Sequence, residues 1–452
     1  MKKILLFLSV ILLVSSCGSS DNGFLVGVQD RAIWYQPDPY GMLFIPAGSY
    51  NMGNSDQDVP YAQISGSKTV TLQAFYMDET EITNNEYREF VYWVMDSIAH
   101  RKLGETIEDH LISSNEETGE TYDPPYINWK TKISWNDPKD EEQRDILATM
   151  YLPENERFYR RKQIDTRLLK YDYYYIDYKA AAAKDFTTGV PDQGSYNNRP
   201  QGLKDRSVYI NKKTISVYPD TLSWVHDFTY SFNEPMTQMY FWHPAYDNYP
   251  VVGVNWVQAR AFCIWRTQKL NNWLSRNEES FVNDFRLPTE SEWEWAARGG
   301  LDMSPYPWGG PYIRNSNGCF LGNYKPLRGN YTDDGGAQTL IVGHYAPNDY
   351  GLYDMAGNVS EWTSNAFDES AYNFAHDLNM DYTYEAKETD SPVLKRKVIR
   401  GGSWKDIGYF MQVGTRSYEY QDTAKCYIGF RCVQTYLGRD KGDGPNASNV
   451  YN

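Results

Sequence analysis

Between residues 305 and 365 the chain reads PYPWGG, GNYKPLRGNYTDDGGAQ and PNDYGLYDMAGNVSEW, a run dominated by Gly, Asn, Asp and Pro. These residues punctuate regular structure and supply turns with special backbone angles. A stretch this long without helix or strand periodicity must still satisfy its own N–H and C=O groups if it lies inside a domain. Side-chain hydrogen bonds can do this, and so can bound ions; a hard cation takes mixed carboxylate and carbonyl oxygens. The segment therefore predicts irregular backbone within a compact fold.

Short regular elements surround it. GMLFIPAGSYNMGN (41–54) reads as a strand and turn broken at Gly48 and Gly53, and KTVTLQAFYMDE (68–79) alternates as a second strand. Thr83 is placed to cap a helix with Glu86 in the capping-box position, and its apolar face takes Tyr87, Phe90, Val91 and Val94. PVVGVNWVQARAFCIWRTQKLNNWLSR predicts a short strand and then a helix. In FRLPTESEWEWAARGG, Thr289 caps a further helix with Glu292 three residues on.

Residues 100–245 differ in character, being rich in Tyr, Asp and Lys with weak periodicity. Within them, 154–185 concentrates Arg157, Arg160, Arg161, Lys162, Arg167 and Lys170 among tyrosines. The plain reading is a solvated helix and strand. The functional one is a contact surface, with Arg160, Arg161, Tyr173, Tyr174 and Tyr175 as anchors, since Tyr and Arg are enriched at interface hot spots.

The N-terminus reads MKKILLFLSVILLVSSCGSS. Lys2 and Lys3, the apolar run behind them and Val14-Ser15-Ser16-Cys17 have the layout of an export signal ending in a lipid-acceptor cysteine. On this reading 1–16 is a signal peptide, Cys17 carries the lipid, and 17–40 is a tether. Gly18 stands where an inner-membrane retention signal would place Asp, so the expected location is the outer membrane, periplasmic side. Cys263, Cys319, Cys426 and Cys432 remain. An oxidising compartment permits disulfides, and spacing alone cannot choose among the three pairings. A net charge of -15 argues against nucleic-acid binding.

FIPAGSYNMG, DETEITNNEYREF, PVVGVNW, RLPTESEWEWAARGG, YPWGG, PNDYGLYDMAGNVSEW, RGGSW and GFRC occur here in one order. In that order they resemble the formylglycine-generating enzyme (sulfatase-modifying factor) family. The resemblance spans about 41–432, with 100–245 as an insertion, and implies a compact, irregular α+β fold related to C-type lectins, followed by a polar tail over 438–452. The family's enzymes oxidise a cysteine in sulfatases with O2, using copper held by two cysteine thiolates just after the GGS elbow. Thiolates are soft ligands suited to Cu(I). Here the stretch is RGGSWKDIGYFMQVGTRS, with Asp406 and Met411 near those positions. The expectation is no catalytic residues, no copper and no oxidase activity. A related branch of sulfoxide synthases holds iron on histidines of an added helical domain, and the six His of this chain form no such cluster in sequence.

The resemblance further implies structural Ca2+ on the Asp354 side chain, the Gly357 and Val359 carbonyls and Glu361. It implies a second ion on Asn323, the Tyr324 carbonyl, Asp334 and the Gly336 carbonyl, and a disulfide between Cys263 and Cys432. Such a bridge closes a loop of about 170 residues and stabilises by a few kcal/mol in the loop-entropy picture. The lipid-acceptor motif, DQDVPYAQ (56–63), the Tyr- and Arg-rich insertion and the missing thiolates together look like the GldK/PorK-type lipoproteins of type IX secretion and gliding. That implies a structural role: self-association into periplasmic rings with a GldN/PorN-type partner and other secretion components. A lipid-anchored glycan- or peptide-binding module is the alternative, and a copper-dependent oxidase a further one.

Overall fold

The computed structural model describes residues 34–54, 66–115, 118–135, 141–157, 160–182, 207–227, 235–327, 332, 335–376 and 380–438. Cys17, the signal and most of the tether, Asp334 and the tail beyond 438 lie outside the described residues. Residues 38–437 form one compact unit.

Two four-stranded sheets frame the irregular segment. The first has the order β1 (Met42–Ile45), β4 (Phe75–Asp78), β14 (Val433–Thr435), β9 (Phe285–Arg286), all antiparallel. The second runs β12 (Ser417–Tyr420), β11 (Arg396–Arg400), β10 (Ser360–Ala366), β13 (Ile428–Gly429), with only the β10–β13 pair parallel. Among the described residues three antiparallel pairs complete the strands: β2 (Gly48–Met52) with β3 (Lys68–Leu72), β5 (Leu111–Ser114) with β6 (Thr121–Ile127), and the hairpin of β7 (Lys170–Ile176) with β8 (Ile210–Ser216). The mixture of separate helices and largely antiparallel strands is the expected α+β class.

Sequence boundaries shift in four places, one being 360–365, read as irregular, which pairs with β11 and β13 as most of β10. The first predicted strand is two, broken at Pro46-Ala47 where an N–H is lost, not at Gly48. Gly48 is instead where the chain crosses Trp295; a Cβ there would sit 2.7 Å from its ring. The run 68–79 is also two strands, β3 and β4, serving different sheets. Residues 251–255 are irregular; only the helix after them forms.

The predicted caps are present. Helix α1 (Asn84–Gly104) starts at Thr83, whose Oγ1 accepts from Glu86 N while Glu86 Oε2 accepts from Thr83 N at 2.8 Å. Helix α2 (Trp256–Arg276) uses Asn255 and Gln258 in the same way, and α3 (Glu290–Arg298) uses Thr289 and Glu292. Gly299 ends α3 in the left-handed region, where a side chain would be strained. The predicted face of α1 is buried, with Tyr87 stacked on Phe262 of α2.

The segment read as an insertion contributes to this core. Hairpin β7–β8 sends Tyr171, Tyr173 and Ile215 inward, with Leu169 and Val217 at its ends, to join Phe90 and Trp265 in the main apolar cluster. Tyr173 is 1% exposed, so it cannot be a partner anchor; the period-two alternation of a strand turns it to the core. Tyr175 is half-buried beneath Arg260, whose guanidinium lies 4.7 Å from its ring. Of the proposed anchors, Arg160, Arg161 and Tyr174 are exposed.

Hairpin β5–β6 docks through histidines. His100, near the end of α1, and His110 are both buried, with their Nδ1 atoms 3.0 Å apart, and the His100 ring meets Trp129 edge-on. One imidazole must donate and the other accept, so the contact needs a neutral ring. Burial, then His110, pushes His100 down to about 4; burial also lowers His110. An unfolded His takes its proton near pH 6.5, the folded one only near 4. Between those values the unfolded chain binds more protons, so stability should fall with pH through this window and level off below it. The expected loss from His100 is about 3 kcal/mol at most. Denaturant melts from pH 7 to 4 should show a flatter pH slope for His100→Gln than for the wild type; equal slopes would refute the assignment.

Candidate functional site

The residues after β11 build a double-glycine elbow. Gly401 and Gly402 take φ of +88° and +66°, and a Cβ at Gly402 would lie 2.7 Å from the Phe410 carbonyl oxygen. Ser403 follows, its Oγ donating to Asp406 Oδ2 at 2.6 Å while Asp406 N donates to Ser403 O. Asp406 lines a cavity of about 100 Å³ together with Arg400, Phe410, Tyr418 and Tyr427. Burial raises its carboxyl above the ordinary value, against the Ser403 hydrogen bonds. Met411 does not line this cavity. Its side chain is fully buried in an apolar cluster with Tyr306, Phe320, Tyr324 and Ala356. The two positions near which thiolates would stand thus offer one hard oxygen, already bonded to a serine, and one thioether packed among aromatics. That donor set does not fit Cu(I).

The two arginines of the elbow are structural. Arg400 meets Glu294 and Glu290 of α3 and donates Nη1 to Thr415 O at 2.7 Å. Arg416 chelates Glu290 through Nε at 2.6 Å and Nη2 at 3.1 Å. Arg298, one turn beyond Glu294, donates to its Oε1 at 2.6 Å and to Gly53 O at 2.7 Å. All five side chains are buried. Burial alone would raise Glu294, yet Arg298 and Arg400 hold it below the usual carboxylate range.

A second buried set lies where the first calcium was expected. Asp354 (φ +55°) accepts from Gly343 N at 2.6 Å. Glu361 on β10 does not stand free: Arg431 binds both its oxygens, at 2.8 and 2.6 Å, and Trp293 Nε1 donates to Oε2 at 2.8 Å. Glu81, which the sequence reading passed over, is fully buried beside them, and its Oε2 has no donor unless the Glu81 and Asp354 carboxyls share a proton. Burial, then the Asp354 charge, raises Glu81 well above its ordinary value; burial also raises Asp354. Three carboxylates thus share one guanidinium. Among the described residues no group of three or more His, Cys, Asp or Glu is arranged to hold a metal, so a cation here would rely on carbonyl oxygens as well.

The second expected ion site backs onto the first. Gly357 packs on the Asn323 backbone, where a Cβ would come within 2.5 Å of its carbonyl oxygen, and Asn358 N donates to that oxygen at 2.9 Å. Asn323 Nδ2 donates to Gln338 O at 2.8 Å, and Gly336 packs against the same carbonyl. Tyr324 sits in the Met411 cluster; Asp334 is outside the described residues. Cys263 and Cys432 are buried side by side with sulfurs 3.5 Å apart, as thiols without a bond between them. Burial, then Cys263, raises the Cys432 thiol well above its ordinary value. Cys426 is buried among Trp224, Tyr240 and Trp404, while Cys319 sits in a turn, its N–H on Asn315.

The sequence profile of the sulfatase-modifying factor enzyme 1-like domain matches residues 34–143 and 156–436. It runs through most of the segment read as an insertion and leaves only 144–155 between its two parts. The chain is 35% identical over 201 residues to inactive C-alpha-formylglycine-generating enzyme 2 of Bos taurus, covering 43% of this chain and 53% of that protein. It is 25% identical over 402 residues to formylglycine-generating enzyme of Mus musculus, covering 88% and 75%. The chain thus spans about half the length of the inactive relatives it matches. Among solved structures, PvdO from Pseudomonas aeruginosa is similar with a TM-score of 0.43 at 18% identity, over 87% of this chain and 94% of that one.

Removing one partner from a buried ion network costs about 3–5 kcal/mol. Arg400→Met should therefore lower unfolding free energy in urea by that amount, and adding Glu294→Gln should recover part of it. A single variant within about 1 kcal/mol of wild type, the scale of an exposed ion pair, would show the network to be dispensable.

Proposed function

The chain belongs to the sulfatase-modifying factor enzyme 1-like domain family, and we propose that it is a non-catalytic member: a GldK/PorK-type lipoprotein that builds periplasmic rings for type IX secretion and gliding. The observation that carries the non-catalytic part is the pair Asp406 and Met411, one bonded to Ser403 and one sealed in an apolar cluster. The name of the inactive relatives agrees with it. The export signal and Cys17 support a lipid anchor on the outer membrane, and more than one acyl chain gives durable attachment. Confinement to a membrane raises local concentration, and head-to-tail association with a fixed rotation closes a ring. Partner contacts are assigned to the exposed anchors Arg160, Arg161 and Tyr174.

Native purification should give large particles containing a GldN/PorN-type partner, and these should be lost when Arg160 and Arg161 become Glu and Tyr174 becomes Ala. Deleting 154–185 is not a fair test, because it removes a core strand. The same protein loaded with Cu(I) should leave a Cys-x-Pro-x-Arg peptide unoxidised by O2. A monomer whatever the partner, or formylglycine above the no-protein control, would each sink the reading.

Calcium belongs to the same proposal. The excess of buried carboxylate around Arg431, with Glu81 and Asp354 set against each other, fits a cation held by Asp354, Glu361 and the Gly357 and Val359 carbonyls. When bound it supplies charge balance for buried acids. Asn323, Tyr324, Asp334 and Gly336 are assigned the second ion. In an oxidising compartment Cys263 and Cys432 would join as a disulfide. Because Glu361 is the partner of Arg431, its removal would destabilise the protein with or without an ion. Asp354→Asn is the cleaner variant. It should abolish most of the stabilisation that added Ca2+ gives the wild type by mass action. If EDTA leaves the wild-type melt unmoved and metal analysis finds no Ca2+, a proton rather than a cation balances the Glu81–Asp354 pair.

A further inference from the structure

Where hairpin β7–β8 meets α2 and β11, cations gather without enough counter-charge. Tyr173 and Lys213 are cross-strand partners, so their side chains share one face of the hairpin, the face turned to the core. The Tyr173 hydroxyl is buried and has no hydrogen-bond partner. Lys213 is half-buried and, among the described residues, makes neither an ion pair nor a hydrogen bond. Arg260 from α2 stands against them, 4.7 Å over the Tyr175 ring and 5.6 Å over Trp256. Lys397 from β11 lies 3.8 Å from the centre of the same Trp256 ring and donates to Tyr384 O at 2.7 Å.

Three cations, Arg260 and Lys397 on Trp256 and Lys213 across from Tyr173, thus gather in one region of a chain whose net charge is -15. The carboxylates that act on them are Glu385, paired with Arg260, and Glu388; both are exposed. Like charges in a partly desolvated site repel strongly. Lys397 is pushed down to about 7, by burial first and then by Arg260 and Lys213; Lys213 is lowered by burial and by Arg260. A buried hydroxyl without a partner costs about 1–3 kcal/mol. Both liabilities disappear if one ligand accepts hydrogen bonds and brings more than one negative charge.

We propose that Tyr173, Lys213, Arg260 and Lys397 form a binding site for a tetrahedral oxyanion such as inorganic phosphate or sulfate. Arg260 offers a fork of N–H donors, Lys213 and Lys397 offer ammonium donors, and the Tyr173 hydroxyl donates the remaining bond. The aromatic walls, Trp256 and Tyr175, screen the cations from water and strengthen each contact. Hairpin, α2 and β11 would then be tied together by the anion.

The test uses the purified full chain at pH 7, with Tm read in phosphate, acetate and chloride at equal ionic strength. Phosphate should raise Tm by roughly 2 °C or more beyond chloride, and acetate should not match it. Tyr173→Phe, which keeps the ring in the core, and Lys213→Met should each remove the phosphate increment. In chloride alone Lys213→Met should melt at or above the wild type, because an unpaired cation has gone; a merely structural lysine would give the opposite. The 31P line of phosphate should broaden with wild type and not with either variant. No increment over chloride, an increment kept in both variants, or acetate equal to phosphate would each overturn the site.

Discussion

Glu290 and Glu294 leave one face of α3 and point away from solvent, so α3 can dock only if guanidiniums are waiting for both. A lone carboxylate in that position would cost several kcal/mol and would take up a proton instead. Arg298 comes from the same helix, Arg400 from the end of β11, and Arg416 from the loop before β12. Other N–H groups end on the carbonyls of Thr415, Asp368, Gly53 and Ser304, while Arg400 Nε, 3.6 Å from Glu290 Oε1, makes no hydrogen bond. The network thus ties α3 to the second sheet, to the end of hairpin β2–β3 and to the irregular segment. On the neighbouring face of α3, Trp293 donates to Glu361, which Arg431 also holds, so the first sheet's last strand is tied in as well. A nine-residue helix is too short to be stable by itself; its place is fixed by the charges it brings inward.

This arrangement separates scaffold from chemistry. The elbow glycines answer to the Phe410 carbonyl and the Trp293 ring, and the elbow arginines to α3. Neither requirement involves the side chains at 406 and 411. Those two positions can exchange ligand atoms for a carboxylate and a thioether while the backbone around them keeps its reasons to adopt the same path. On the proposed non-catalytic reading, a change of residue at 406 and 411 would leave the elbow's own supports in place, because neither side chain carries them.

Much of the local structure was legible because its causes are local. Thr83 with Glu86 and Thr289 with Glu292 are caps whose partners sit three residues apart, and they form as read. The described residues of the Gly- and Asn-rich run are irregular up to 359 for the reason its composition gives, whereas 360–365, included in that reading, lie in β10. What could not be read is pairing at a distance: Glu361 with Arg431 is separated by 70 positions, Arg400 with Glu294 by 106, and charged residues in a sequence look like surface. Glu81 was missed on the same grounds. Tyr173 was misread differently. YDYYYI alternates as a strand should, but its aromatic and charged neighbours drew attention to composition over periodicity. The one usable signal was that Tyr171 and Tyr173 share a parity.

That parity also decides what the hairpin can present outward. The alternation that buries Tyr171 and Tyr173 leaves Tyr174 and Ile176 on the solvent side, opposite Lys212 and Ile210. Ile176 and Ile210 face each other across the strands and are 46% and 48% exposed. A slip of one residue would send the outer set inward and the tyrosines out. Register is held at the open end, where Val217 N donates to Leu169 O, and on the inner face, where Tyr171 Oη bonds Gln268 of α2 at 2.8 Å. The inner face is thus specified by the core, and the outer face inherits its residues at fixed positions without helping to define the fold. A surface of that kind can change its contacts under selection for a partner while the domain beneath it stays the same. A segment that reads in sequence as an insertion is therefore, in the folded protein, core on one face of its hairpin and exposed surface on the other.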